Sequence, residues 1–165
     1  MKIKFLSTAL WGSFFIATFF NIDVPQNTVN GINYKATAAT KQAEFEQQEV
    51  TAIEKLVDFH IEAANKEDIE AYMSTIHEDS TNREQNRNLM ESIFDAYDLN
   101  YAVDEYEIVS ITEDQAQVKI VQTTTKINGP EFRDNRLTAI HYLQKSNDDR
   151  WKFLALKITD IEYLD

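Results

Sequence analysis

The hydrophobic rhythm of this chain changes at Asp98. Before it, Ile53, Leu56, Val57, His60, Ile61 and Ala64 recur at helical spacing, with Glu54, Lys55, Asp58 and Glu62 largely on the opposite face. After it, LNYAVDEYEIVSI (99–111) alternates and is rich in β-branched and aromatic residues, as strands are. No glycine or proline occurs between Gly31 and Gly129, so nothing in the residue types breaks the helices. The chain therefore divides into a helical part followed by a sheet part.

The helical part holds three elements. The first is expected from Phe45 over about twenty residues, the typical scale of a core-packing helix. It ends at the charged hinge Lys66-Glu67-Asp68. Asp68 is placed to cap a short second helix with the stripe Ile69, Tyr72, Met73 and Ile76, because its carboxylate accepts from free first-turn amides. Thr81 or Asn82 is expected to start a third helix with the stripe Leu89, Met90, Ile93, Phe94 and Tyr97.

The sheet part reads as four strands: 99–111, 115–127, 136–145 and 150–164. In the first, Leu99, Tyr101 and Val103 share a phase that Tyr106 and Ile108 leave. The slip at Asp104-Glu105 predicts a β-bulge, which bends a strand. Short links at Glu113-Asp114, Asn128-Gly129-Pro130 and Ser146–Asp149 predict an antiparallel meander. The expected fold class is α+β, with three N-terminal helices packed on a curved four-stranded antiparallel sheet. A long helix, a hinge and a short helix can wrap a curved surface that one straight rod cannot cover.

At the amino end, Lys2 and Lys4 precede FLSTALWGSFFIATFFNI (5–22), which is uncharged. That layout is expected of a signal peptide over residues 1–38 with its connector, cut near Ala36-Thr37-Ala38. The alternative is an uncleaved anchor, residues 5–22 spanning a membrane. Either way the domain, residues 39–165, is expected on the extracytoplasmic side: secreted, periplasmic or at the cell surface. Residues 21–43 read as connector.

The chain has no cysteine, which removes disulfides, thiol nucleophiles and thiolate metal sites. Residues 39–165 hold 27 acids against 13 bases, a balance of −14. A field of that sign repels phosphate backbones, so nucleic acid is excluded as an expected partner.

The hinge within AANKEDIEAYMSTIHEDS (63–80), the third helix, the strand DQAQVKI and the closing strand DDRWKFLALKI together resemble the nuclear transport factor 2-like superfamily. The similarity covers about residues 48 to 163 and is closest to the SnoaL-like and ketosteroid isomerase-like branch. It implies a cone-shaped α+β fold with a pocket between helices and sheet. Members include isomerases, cyclases, dehydratases and non-catalytic binding modules, so the fold does not choose among them.

Candidate site residues follow from the faces. Ala116, Val118 and Ile120 form an apolar row that Gln122 and Thr124 continue as polar positions. His60 interrupts the apolar face of the first helix, and His141 shares a face with Leu137, Ala139 and Leu143. Imidazoles so placed suit acid–base work near neutral pH. A ketosteroid isomerase-like reaction needs an aspartate base and tyrosine donors. Asp104, Asp134 and Asp160 are the nearby aspartates, with Tyr72, Tyr97 and Tyr101 as donors. Arg133 and Arg136 offer bidentate contacts to an anion. His60, His77 and His141 lack the spacing of a zinc site, and no cofactor is expected.

Trp151, Phe153, Tyr142 and Tyr163 suggest an apolar second sheet face and hence a homodimer formed through the sheet. The function expected is a non-catalytic extracytoplasmic binding or interaction domain with a small-molecule pocket. The rivals are a small-molecule isomerase, cyclase or hydrolase using His60, His141 or Asp104, and a cell-surface assembly module acting through the exposed sheet.

Overall fold

A computed structural model describes the backbone of residues 34–164 and the side chains of residues 40–164. The expected leader, including the uncharged block 5–22, lies outside the described residues up to 33. Three helices pack on a curved four-stranded antiparallel sheet, as the change of period requires.

Helix α1 runs Tyr34–Asn65, 32 residues, so it starts well before Phe45 and takes in much of the stretch read as connector. Ala, Lys, Gln and Glu dominate that stretch, and these are strong helix formers. Residues 40–48 are exposed and bury no stripe, so periodicity had nothing to report there. Ala36-Thr37-Ala38 falls in the first turns of this helix. Further along, Ile53, Val57, Ala63 and Ala64 are buried in the core.

The hinge is held by backbone geometry. Glu67 sits at φ 55, the left-handed region that ends a helix sharply. The Asp68 carboxylate accepts from Ala71 N at 3.0 Å and caps α2, Ile69–Ser74, which buries Tyr72 and Met73. Helix α3 is Arg83–Ala96, entered at Asn82, whose side chain makes no capping bond. Met90 is buried, but Leu89, expected in the stripe, is 58% exposed. It lies one residue, about 100° around the helix, from Met90 and outside a narrow contact.

Strands β1 (Asp98–Ile111), β2 (Gln115–Asn128), β3 (Asn135–Lys145) and β4 (Trp151–Tyr163) pair in sequence order. The slip read at Asp104-Glu105 is a register shift between Val103 and Glu105, and a second lies between Ile108 and Ser110. Through these two bulges Tyr101, Val103, Tyr106, Ile108 and Ile111 oppose Thr124, Gln122, Ile120, Val118 and Ala116, all facing the helices. That concave face carries the core, with Val118, Leu143 and Ile53 fully buried.

Three polar clamps fix the helices to this face. The Asn65 amide donates to Tyr101 O at 2.9 Å and accepts from Tyr101 N at 2.8 Å, acting as one residue of a neighbouring strand. Glu49 accepts from Lys145 Nζ at 2.9 Å and from Trp151 Nε1 at 2.6 Å, tying α1 to the β3–β4 hairpin. Residues Thr75–His77 pair with Phe153 through His77 N to Phe153 O (2.9 Å) and Phe153 N to Thr75 O (2.8 Å).

Trp151 and Phe153 are therefore buried under the helices rather than on the outer face. Tyr163 opposes Asn135, which is in the phase of Leu137 and Ala139, so it too lies on the concave side. Of the four aromatics expected on the convex face, Tyr142 is there, opposite Gln117 and Ala155. Bulges in β4, between Thr138/Ala139 and Tyr142/Leu143 of the pairing, shift its phase. Simple alternation misassigns a strand with such irregularities.

Gly129 closes the β2–β3 link against the end of α3. Its φ is +116, and a Cβ there would lie 2.8 Å from Ala96 O and 3.1 Å from Tyr97 Cα. Both neighbours are backbone and cannot swing away. Gly129→Ala should lower unfolding free energy by roughly 1–3 kcal/mol in urea titration. An unchanged midpoint and slope would contradict this packing.

Candidate functional site

Two partly buried histidines that the sequence put forward, His60 and His141, face each other across the concave side. His60 comes from the sheet-facing side of α1, and its ring lies 4.4 Å from Tyr72 and 4.6 Å from Phe153, centroid to centroid. His141 opposes Val118 and Leu156 across β3, and its ring meets Phe153 edge-on at 5.3 Å. One phenyl ring thus carries both imidazoles. Tyr72 is closed from behind by Phe94 in edge-to-face contact at 6.3 Å.

Burial determines the charge state of this pair. It lowers the His60 pKa to about 3, with the neighbouring His141 adding to the effect. Burial likewise lowers His141 to about 4. Burial pushes Tyr101 up to about 12, helped by Tyr72 and Glu67, and raises Tyr72 against the opposing bond from Asn86. At neutral pH the face therefore presents two uncharged imidazoles and protonated phenols.

Beyond the histidines the face opens. Leu156, Ile158 and Ile161 oppose His141, Ala139 and Leu137, so they share the concave side, yet they are 54%, 48% and 45% exposed. The result is an exposed apolar stretch of the concave face, here called the trough, with polar groups beside it. Gln122 and Thr124 continue the β2 row as expected, with Gln122 Nε2 donating to Thr124 Oγ1 at 3.3 Å, and Thr124 buried. Tyr101 stands opposite Thr124.

The remaining candidates lie elsewhere. Asp104 is the extra residue of the first bulge and points to the convex side, where Thr123 Oγ1 donates to it and Arg136 Nε lies 3.2 Å away. Arg136 also reaches Glu162 at 3.3 Å, which makes it the centre of a surface ion-pair group rather than a free cation. Asp160 opposes Thr138 on that convex side. Asp134 accepts from Lys126 N at 2.8 Å and supports the turn. Arg133 lies over the Tyr163 ring at 4.3 Å, and Tyr97 packs on Phe132 at 5.8 Å. The fold brings together His60, His141, Tyr72 and Tyr101, sends Asp104 and Arg136 to the convex side, and leaves Arg133 stacked on Tyr163 at the far end of β4.

His77 is buried but fully engaged, accepting from Asp79 N at 3.0 Å and lying 3.4 Å from Lys145 O. Among the described residues no group of three or more His, Cys, Asp or Glu is arranged to hold a metal ion. A shallow groove lined by Gln42, Phe45, Glu46, Ile111, Thr112 and Glu113 lies at the opposite end of α1 and includes none of the expected site residues. Sequence reasoning missed Thr75, whose hydroxyl lies 2.7 Å from His60 Nδ1. Nothing in its spacing from His60 signals the contact, because the hinge between them reverses the chain.

Both imidazoles are bases whose folded pKa lies below the ordinary 6.5, so the unfolded chain binds more protons on acidification. Their contribution to stability is full above about pH 7 and is lost as the pH falls toward about 4. Thermal melts should show a falling midpoint across that window. The His60→Phe/His141→Phe double variant should flatten the part between about pH 7 and 5, where few carboxylates titrate. A wild-type midpoint flat between those values would contradict the burial.

Comparison with known proteins agrees with this architecture. Residues 55–164 match the family model described as "Anti-sigma-I factor RsgI9, C-terminal domain". The anti-sigma-I factor RsgI9 of Acetivibrio thermocellus is 35% identical over 92 residues, 56% of this chain. The matched segment spans 13% of that relative's length. Among solved structures, a conserved protein from Planctomyces limnophilus superposes with a TM-score of 0.58 at 16% identity, covering 72% of this chain and 99% of its own. A ketosteroid isomerase-like protein from Erwinia carotovora gives 0.52 at 21%, with 66% and 92% covered. A nuclear transport factor 2-like protein from Shewanella oneidensis gives 0.53 at 16%, with 67% and 98% covered. At these identities the superpositions speak for the fold, which is nuclear transport factor 2-like. The longer match goes further: this chain belongs to the family of the anti-sigma-I factor RsgI9 C-terminal domain.

Proposed function

We propose that this domain is a non-catalytic binding module, held on the extracytoplasmic side, that takes a small molecule in the concave trough. In that role it is the input domain of an anti-sigma-factor-type regulator. The observation that carries the reading is the composition of the trough. Two neutral imidazoles and the Tyr101 phenol lie on an aromatic and aliphatic floor, while Asp104, the aspartate proposed as a base, is paired to Arg136 on the far side of the sheet. Hydrogen-bonding groups set in an apolar wall suit recognition. Proton abstraction in the ketosteroid isomerase manner needs a carboxylate beside the donors. The family match supports the regulatory context. The uncharged block 5–22 behind Lys2 and Lys4 supports placement across or beyond a membrane.

Association of two copies through the convex sheet face accompanies this reading. Val121, Ile140 and Tyr142 lie on that face among charged residues such as Lys119 and Lys157, and sedimentation reports the subunit count.

The binding role is tested by ligand-observed and protein-observed NMR with a library of uncharged aromatic and hydroxylated fragments. Shift changes should concentrate on His141, Leu156, Ile158 and Ile161 and spare Lys119 and Tyr142. His141→Ala should weaken the best fragment about tenfold, the scale of one lost hydrogen bond with its packing. Changes confined to the convex face, or none at millimolar fragment, would overturn the reading.

A further inference from the structure

His60 and Thr75 hold a proton in a fixed place. Thr75 Oγ1 lies 2.6 Å from Tyr72 O and 2.7 Å from His60 Nδ1. A carbonyl oxygen carries no hydrogen, so two oxygens at 2.6 Å require the threonine hydroxyl proton to lie between them. Thr75 has one hydroxyl proton, and it is used. Toward His60 the hydroxyl can only accept, so the Nδ1 of His60 must carry the ring proton. Because this imidazole is neutral, Nε2 is then a bare lone pair.

That lone pair makes no hydrogen bond among the described residues. Among those residues no buried side-chain nitrogen or oxygen lacks a partner, so Nε2 is not sealed inside the core. His60 packs on Phe153, whose ring also carries His141 at the trough floor. Because His60 and His141 share the Phe153 ring, we assign the open nitrogen to the trough.

We propose that Thr75 fixes His60 in the Nδ1–H tautomer, so that the trough selects uncharged ligands that donate an O–H or N–H from a flat apolar body. This rests on the reading of the trough as a binding site. A donor satisfies Nε2, whereas an ether or ester oxygen of the same shape sets lone pair against lone pair. An anion meets two neutral imidazoles at the floor, within a domain of strongly negative balance, while Arg136 is paired on the convex side and Arg133 lies over Tyr163 at the far end of β4. The flat body is what Phe153, Leu156 and Ile158 accommodate. Thr75 acts through His60 and is a positioning residue.

The test has two independent readouts on the full chain. Nitrogen-15 NMR of the histidine rings should show a protonated Nδ1 and an unprotonated Nε2 at His60 in the wild type at pH 7. Thr75→Val should lose that bias, and Thr75→Ser, which keeps the hydroxyl, should restore it. Separately, 2-naphthol should bind about tenfold more tightly than 2-methoxynaphthalene, the difference an unpaired acceptor makes, and 2-naphthoate more weakly still. The preference should shrink below about threefold in Thr75→Val as the ring becomes free to present either nitrogen. A protonated Nε2 in the wild type, or equal affinity for naphthol and its methyl ether, would overturn the proposal while leaving the trough a binding site. Failure of all three probes to bind would count against the trough itself, and the ligand class would fall with it.

Discussion

Everything on the concave face depends on the two extra residues in β1. Without the bulge at Asp104, the phase that turns Tyr101 and Val103 inward would turn Tyr106 and Ile108 outward. The slip restores the inward phase and sends Asp104 to the other side, where Arg136 and Thr123 receive it. The second irregularity, before Ser110, does the same for Ile111. Each bulge also adds twist and bend. The sheet that results is curved enough to need a broken helical cover, which the hinge at Glu67 supplies.

The clamps decide where the curvature stays open. Asn65 on Tyr101, Glu49 on Lys145 and Trp151, and Thr75–His77 on Phe153 fasten α1 and the hinge at three points around the floor. The Glu49–Lys145 pair is nearly covered, with side chains 13% and 10% exposed, and its remaining acceptor is taken by the indole. Such a pair contributes chiefly to positioning, since desolvation offsets much of its attraction. The second half of β4 receives no such cover. There Leu156, Ile158 and Ile161 remain accessible beside the neutral histidines. Fold and site are therefore consequences of one arrangement.

Much of this was legible in the residues. The change of period gave the element order, the phase slip gave the first bulge, and Asp68 announced its own helix. His60 and His141 were readable as polar interruptions of apolar faces. The earlier start of α1 was not, because an exposed helix made by propensity carries no stripe. The facing of Trp151, Phe153 and Tyr163 was lost to irregularities in β4, where alternation fails. Thr75 and Asn65 were hidden for a different reason. Their partners lie 15 and 36 residues away, and a contact across a hinge or from helix to strand backbone leaves no periodic trace. The same applies to Asp104, whose nearness to a candidate tyrosine in sequence says nothing about which side of a bulged strand it takes.

Every role assigned to the trough requires a floor that keeps both imidazoles uncharged. Proton NMR of the histidine Cε1–H resonances in the folded chain, followed from pH 8 to pH 4.5, measures this directly. The His60 and His141 signals should stay put over that range, apart from an onset for His141 at its lower end. A full titration of either near the ordinary value of 6.5 would mean a hydrated, chargeable floor and would contradict that requirement.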